Sequence, residues 1–188
     1  MLTMSEPNRS LGQTGIRLSG GVLAGGEGRR FGGLDKGWIA YRGRPFIEQV
    51  LMQLAPQVDD IAISANRSLE RYAALGHPVL SDRLGAGPLA GLLRLLESAR
   101  HDWLLSLPCD ALDVPHDLAR QLCEAQRASE AEVVVLCDDD GVHPLVALTR
   151  RELAPDIEAF LRACQLCGVL VNVNDAAALR ELEEPAHG

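Results

Sequence analysis

Residues 20–37 read GGVLAGGEGRRFGGLDKG, and this stretch decides how the rest of the chain is understood. Its opening residues, 20–24, form a short apolar run suited to a strand covered on both faces. The glycines that follow, Gly25, Gly26, Gly28, Gly32 and Gly33, let backbone amides close around a polyphosphate without side-chain obstruction. Arg29, Arg30 and Lys36 bring positive charge to the same loop, which a triphosphate requires and an ordinary turn does not. The expectation is a strand that runs directly into an anion-gripping loop.

Two commoner motifs fail here on spacing. A dinucleotide-binding G-x-G-x-x-G counted from Gly26 and Gly28 places Phe31 where the third glycine belongs, which argues against hydride transfer. A P-loop needs glycine before its lysine and Ser or Thr after it, yet Lys36 stands between Asp35 and Gly37.

Outward from the loop, apolar runs at 61–65, 78–81, 103–107, 132–137, 145–148 and 169–173 alternate with helical patterns at 45–54, 88–99, 115–128, 151–163 and 175–183. In the second helical pattern Leu89, Leu92, Leu93 and Leu96 share one face while Arg94 and Glu97 point away. Three of the helices are expected to start at Pro45, Pro88 and Pro115, because the first helical position tolerates a missing N–H. Such alternation predicts one three-layer α/β/α domain with a Rossmann-like, mainly parallel sheet.

Composition narrows the function. A chain of 188 residues, 47% apolar, has material for one core, and residues 18–188 are read as a single domain behind a mobile tail at 1–17. The net charge of −8 argues against nucleic acid as a partner while leaving room for a local basic pocket. No apolar stretch near 20 residues is present to span a membrane, and five cysteines without framework spacing suit a reducing cytoplasm. Cys164 and Cys167 form an isolated C-x-x-C with no second ligand pair, which reads as packing at a helix end rather than a metal or redox site.

The string L-A-G-G-x-G-x-R-x-G-G-x-D-K-G over residues 23–37 resembles the signature of the molybdenum cofactor guanylyltransferases, a branch of the nucleotidyltransferase superfamily. The resemblance runs from about Leu18 to Leu182. It implies the fold of the nucleotide-diphospho-sugar transferases. It further implies transfer of GMP from GTP to the terminal phosphate of molybdopterin, with Mg²⁺ as cofactor. Cofactor-synthesis or acceptor proteins would be further partners. A cytidylyl or sugar-phosphate nucleotidyltransferase remains open, as does a nucleotide-binding regulator without chemistry.

Phosphoryl-type transfer needs a hard cation held by one or two carboxylates. Asp110 follows the run 103–107 in LLSLPCD, at the end of a central strand, where open α/β sheets bind ligands. The family's Pro-Cys-Asp triplet, matched at 108–110, implies that Asp110 holds the metal. Asp113 reads as a cap for the helix at Pro115. Asp82 ends another strand before the Gly-Pro-Leu-Ala-Gly loop that starts at Gly87, and its carboxylate can accept from both N1–H and the exocyclic amine of guanine. The resemblance implies nucleotide contacts from Leu23, Ala24, Gly25, Gly26, Lys36, Asp82, Gly87 and Asp110, with Lys36, Arg30 and Asp110 catalytic.

Departures from the family pattern are visible. Ser64-Ala65-Asn66 stands where relatives often read Asn-Ala-Asn: Ser64 takes the place of a nucleotide-contacting asparagine with a hydroxyl that can donate or accept but cannot pair as an amide does, and Asn66 reads equally as a nucleotide contact or as a cap before a helix at Leu69. His143, in the family's H-P strand, is open between a contact to the acceptor phosphate and a turn residue. Asn174 and Asp175, in the N-V-N stretch, are open between contact and cap. An Arg-rich segment that many relatives carry before N-V-N is missing; this chain reads CQLCGVLVNVN.

Overall fold

The computed structural model describes residues 15–24, 34–85, 87–139 and 141–167. Thirteen elements follow one another: β1 (Leu18–Leu23), β2 (Ala40–Tyr41), β3 (Arg44–Pro45), α1 (Phe46–Leu54), β4 (Asp60–Ser64), α2 (Leu69–Ala73), β5 (Val79–Leu80), α3 (Pro88–Ser98), β6 (Trp103–Pro108), α4 (Leu118–Ser129), β7 (Val133–Asp138), β8 (Gly141–Arg150) and α5 (Ala154–Cys167). Strands pair in the order β5-β4-β1-β6-β8-β7, while β2 and β3 form a separate hairpin. Only β8 opposes its neighbours in this sheet, so the mainly parallel α/β/α fold is as expected.

The alternation of side chains along the strands divides the core in two. On one face Val22, Ile63, Leu105 and Leu107 pack with Ile47, Val50 and Leu54 of α1, Tyr72 of α2 and Leu118 and Leu122 of α4. On the other, Leu23 and Leu104 pack with Leu95 and Leu96 of α3, and Leu161 of α5 joins Ala90 and Leu93.

Several boundaries differ from the sequence reading. Pro88 does open α3, but Pro45 precedes α1 as the last residue of the β2–β3 hairpin, and α4 begins at Leu118 rather than Pro115. The hairpin closes through Arg42 and Gly43, both with positive φ, in the backbone twist that two-residue hairpins favour. The short helix α2 is the one whose start was placed at Leu69, and β8 runs well beyond 145–148 at both ends. The strand expected at 169–173 and the helix at 175–183 lie outside the described residues.

After β6, residues 109–117 cross back toward α1 outside the sheet and helices, and two glutamines pin them and the start of α4. Gln53 Oε1 accepts from the Val114 amide at 2.7 Å. Gln57 Oε1 accepts from Ala119 N at 2.9 Å, and its Nε2 donates to the Pro115 carbonyl at 3.1 Å. Backbone groups that leave a sheet need such partners, and here side chains supply them. Gln57→Ala removes the acceptor of the Ala119 amide and should lower the free energy of unfolding by about 1 kcal/mol, with an unchanged denaturant slope in urea melts.

Candidate functional site

The chain leaves β1 toward β4 and β5 on one side and later returns to β6 on the other, which makes the gap between β1 and β6 a topological switch point. Register sets the ends of four parallel strands in one row: Leu23 lies beside Ser64 and Pro108, and Ser64 beside Leu80. Hydrogen bonds continue one step past the row, from Ala24 N to Ser64 O, from Ala65 N to Leu80 O and from Cys109 N to Leu23 O. Leu23 and Ala24 are buried and their outward-facing backbone groups are partly spent on these bonds, so they form the floor of the edge.

Leu23, Ala24, Ser64, Asn66, Asp82 and Asp110 sit on or just beyond this row. Asp110 occupies the turn after β6, and Lys36 opens a short 3₁₀ turn, Lys36–Trp38, on the far side of the glycine-rich loop. Their side chains form an ion pair, Lys36 Nζ to Asp110 Oδ2. The two are 35% and 34% exposed, so the pair is open to an incoming anion or cation. Gly25, Gly26 and Arg30 lie outside the described residues.

Asp82 follows β5 and is held by Asn66 through two reciprocal bonds. Asn66 Nδ2 donates to Asp82 Oδ2 at 2.7 Å, and Asp82 N donates to Asn66 Oδ1 at 2.9 Å. The capping alternative for Asn66 therefore falls away: Ser68 stands at the N-cap of α2, without a side-chain cap bond. Ser64 is buried beneath, its Oγ 3.5 Å from Asp82 Oδ1. Gly87 enters α3 with φ +96°, a conformation that a side chain would strain.

One further expectation is corrected, and one alternative falls away. Asp113 has φ +58° and caps nothing; the N-cap of α4 is Asp117, whose carboxylate accepts from Arg120 and Gln121. His143 is not in a turn. It lies within β8, with Nε2 2.8 Å from Asp138 Oδ1 across the β7–β8 hairpin, at the end of β8 that runs beside the carboxyl end of β6.

Sequence reasoning also missed residues beside the lysine. Tyr72, fully buried on α2, donates from its hydroxyl to Asp35 Oδ1 at 2.6 Å, and its ring packs on Trp38 at 5.1 Å. Burial first, and then the bond to Asp35, hold the phenol far above the ordinary tyrosine range. One signal was available in the composition: Lys36 is the only lysine of the chain, every other basic side chain except histidine being arginine. A position that keeps lysine against that background needs a compact charge with rotatable donors rather than a planar fork.

A separate cavity of about 380 Å³ lies between α3, α5 and the β7–β8 pair, lined by Leu89, Leu92, Ala147, Ile157 and Phe160 among others. It contains none of the predicted site residues.

The sequence model of the MobA-like NTP transferase domain matches residues 20–183. The chain belongs to the MobA-like NTP transferase family. Within it, the chain groups with the molybdenum cofactor guanylyltransferases. It is 40% identical over 148 residues to that of Pasteurella multocida, covering 78% of each chain. To that of Shewanella loihica it is 36% identical over 184 residues, covering 87% of this chain and 94% of the relative. The fold matches the molybdopterin-guanine dinucleotide biosynthesis protein A of Archaeoglobus fulgidus with TM-score 0.63 at 21% identity, over 87% of this chain and 79% of that one. As a MobA-like transferase the chain is a nucleotidyltransferase, and no helix among the described residues is long and apolar enough to cross a membrane.

Cys109, next to Asp110, has its thiol pushed up to about 12 by burial and then by the Asp110 charge, so it stays protonated at neutral pH and is no nucleophile. Of the described free cysteines, Cys109 and Cys123 are buried and Cys137 is exposed. Alkylation under native conditions, followed by peptide mapping, should modify Cys137 and spare Cys109 and Cys123 until denaturant is added. Native labelling of Cys109 would contradict the packing of this strand end.

Proposed function

We propose that this chain transfers GMP from GTP to the terminal phosphate of molybdopterin, releasing pyrophosphate. The observation that carries the reading is the Lys36–Asp110 pair at the switch point beside β1, in a chain that resembles enzymes named for this activity over most of their length. An oxygen of the acceptor phosphate attacks the α-phosphorus of GTP, and the bond from that phosphorus to the pyrophosphate oxygen breaks. No enzyme nucleophile is needed, which agrees with a protonated Cys109.

The residues divide the work. Lys36 and Arg30 neutralise the triphosphate, and the single lysine can follow charge as it moves from the α-phosphate to the leaving group. Gly25 and Gly26 supply backbone amides, Leu23 and Ala24 the floor, and Gly87 the entry to α3 beside the base. Asp82, fixed by Asn66 with Ser64 below it, accepts from N1–H and the exocyclic amine of guanine, a donor pair that adenine and cytosine do not offer.

Mg²⁺ is the cation this reading requires. Among the described residues no three His, Cys, Asp or Glu side chains converge into a ready-made metal cage. A partly exposed single carboxylate fits Mg²⁺ nonetheless, because that ion is commonly held by one or two carboxylates together with substrate phosphates and water. Asp110 would hold it, and the ion when bound draws charge from the α-phosphate and pyrophosphate. A cytoplasmic setting and delivery of the acceptor by cofactor-synthesis proteins complete the proposal.

Thermal melts with Mg²⁺ and each common nucleoside triphosphate test the donor: GTP should raise the melting temperature most, and equal stabilisation by CTP would overturn the guanylyl assignment. Asp110→Asn tests the site. Pyrophosphate release with molybdopterin as acceptor, followed across a Mg²⁺ titration, should slow by at least about 10²-fold at matched fold, while GTP binding weakens less. Near-normal turnover with unaltered Mg²⁺ dependence would move the metal to another carboxylate.

A further inference from the structure

Lys36 has a short side-chain partner in Asp110, but its backbone is positioned from elsewhere. The 3₁₀ turn that it opens carries no side-chain cap of its own. Three of the residues around it instead meet one side chain, Tyr72. Asp35 accepts the Tyr72 hydroxyl at 2.6 Å. A Cβ on Gly37 would collide with that same hydroxyl, so glycine is the residue that lets the turn close down on the phenol. Trp38 packs at a tilt on the Tyr72 ring at 5.1 Å, and the Arg71 guanidinium lies over the Trp38 ring at 4.0 Å.

Tyr72 is fully buried and belongs to the same core cluster as Cys109, the neighbour of Asp110. Its helix begins only three residues after Asn66, which clamps Asp82. A five-residue helix thus follows directly on the residue that clamps Asp82 and through Tyr72 binds Asp35, the neighbour of Lys36. A polar hydroxyl buried this deeply is costly unless its bond is kept, and phenylalanine would have filled the same space without that demand.

We infer that Tyr72 is a positioning residue for Lys36: its hydroxyl, through Asp35, sets the turn that aims the lysine at the Asp110 end of β6. The inference rests on the proposed role of Lys36 toward the triphosphate, and it concerns geometry that can be read without turnover.

The only lysine makes that geometry directly observable. Protein grown with lysine carrying ¹³C at Cε gives one lysine signal, from Lys36. Tyr72→Phe keeps the ring against Trp38 and removes the hydroxyl. The Lys36 resonance should move away from its wild-type position toward that seen in Asp110→Asn, where the ion pair is lost. The dissociation constant for GTP with Mg²⁺ should rise at least about fivefold, and in a Lys36→Ala background the same substitution should change it less than about twofold, because coupled residues are not additive.

An unmoved lysine signal in folded Tyr72→Phe protein would overturn the inference, as would an equal loss of affinity in both backgrounds, which marks a general packing role. Should Tyr72→Phe fail to fold, Tyr72→Phe with Asp35→Asn removes the bond without leaving a buried carboxylate unpaired, and the same two comparisons apply. A lysine signal that moves as expected in protein that releases no pyrophosphate from GTP and molybdopterin would leave the positioning intact and sink the proposed reaction instead.

Discussion

Backbone pairing of β1 with β4 on one side and β6 on the other fixes the depth at which each chain segment leaves the sheet. In a parallel ladder a shift of one residue would turn every side chain to the opposite face, so the two-sided core holds the register firmly. Val22 and Leu23 belong to opposite clusters, each packed for its own side chain, so exchanging them would misfit the volumes on both faces. Because the register is held, Ala24, Ala65, Asp82 and Asp110 all emerge along a single edge.

That edge concentrates charge in a protein that is acidic overall. The Lys36–Asp110 pair is about one-third exposed on each side, so it contributes little to stability, as is usual for pairs still in contact with water. Its value lies in availability: each member can exchange its partner for a phosphate or a cation. The neighbouring Asp35 is different. Its Oδ1 is bound to a fully buried phenol, and its Oδ2 is buried without a partner among the described residues. One carboxylate is left free to change partners, while the other is held so that the adjacent lysine stays in place.

Much of the fold was legible because it depends on local periodicity. Continuous apolar runs marked β1, β4 and β6, and the leucine stripe at 89, 92, 93 and 96 marked α3, since burial on one or two faces repeats at a fixed interval along the chain. Boundaries were less legible where proline was taken as a start. Pro45 is used by a hairpin and Pro115 by a turn in which its own carbonyl accepts from Gln57 Nε2 and Leu118 N, and neither demand shows in the helical pattern that follows. The role of Asp113 was misplaced for a similar reason: its nearest neighbours suggest a cap, whereas the cap belongs to Asp117, and nothing beside His143 in sequence shows that its partner Asp138 lies across a hairpin.

By itself the sequence determined the alternation of strands and helices, the glycine-rich loop with its basic residues, and the acidic residues that end the strands, because strand burial, helix amphipathicity and backbone access are properties of contiguous residues. Only the tertiary structure decided which of these groups meet. Asn66 finds Asp82 across 16 positions, Asp35 finds Tyr72 across 37, and Lys36 finds Asp110 across 74. Bonds of that separation leave no periodic trace in either partner's segment; they arise because parallel pairing places the carboxyl ends of β1, β4, β5 and β6 side by side, whatever the length of chain between them.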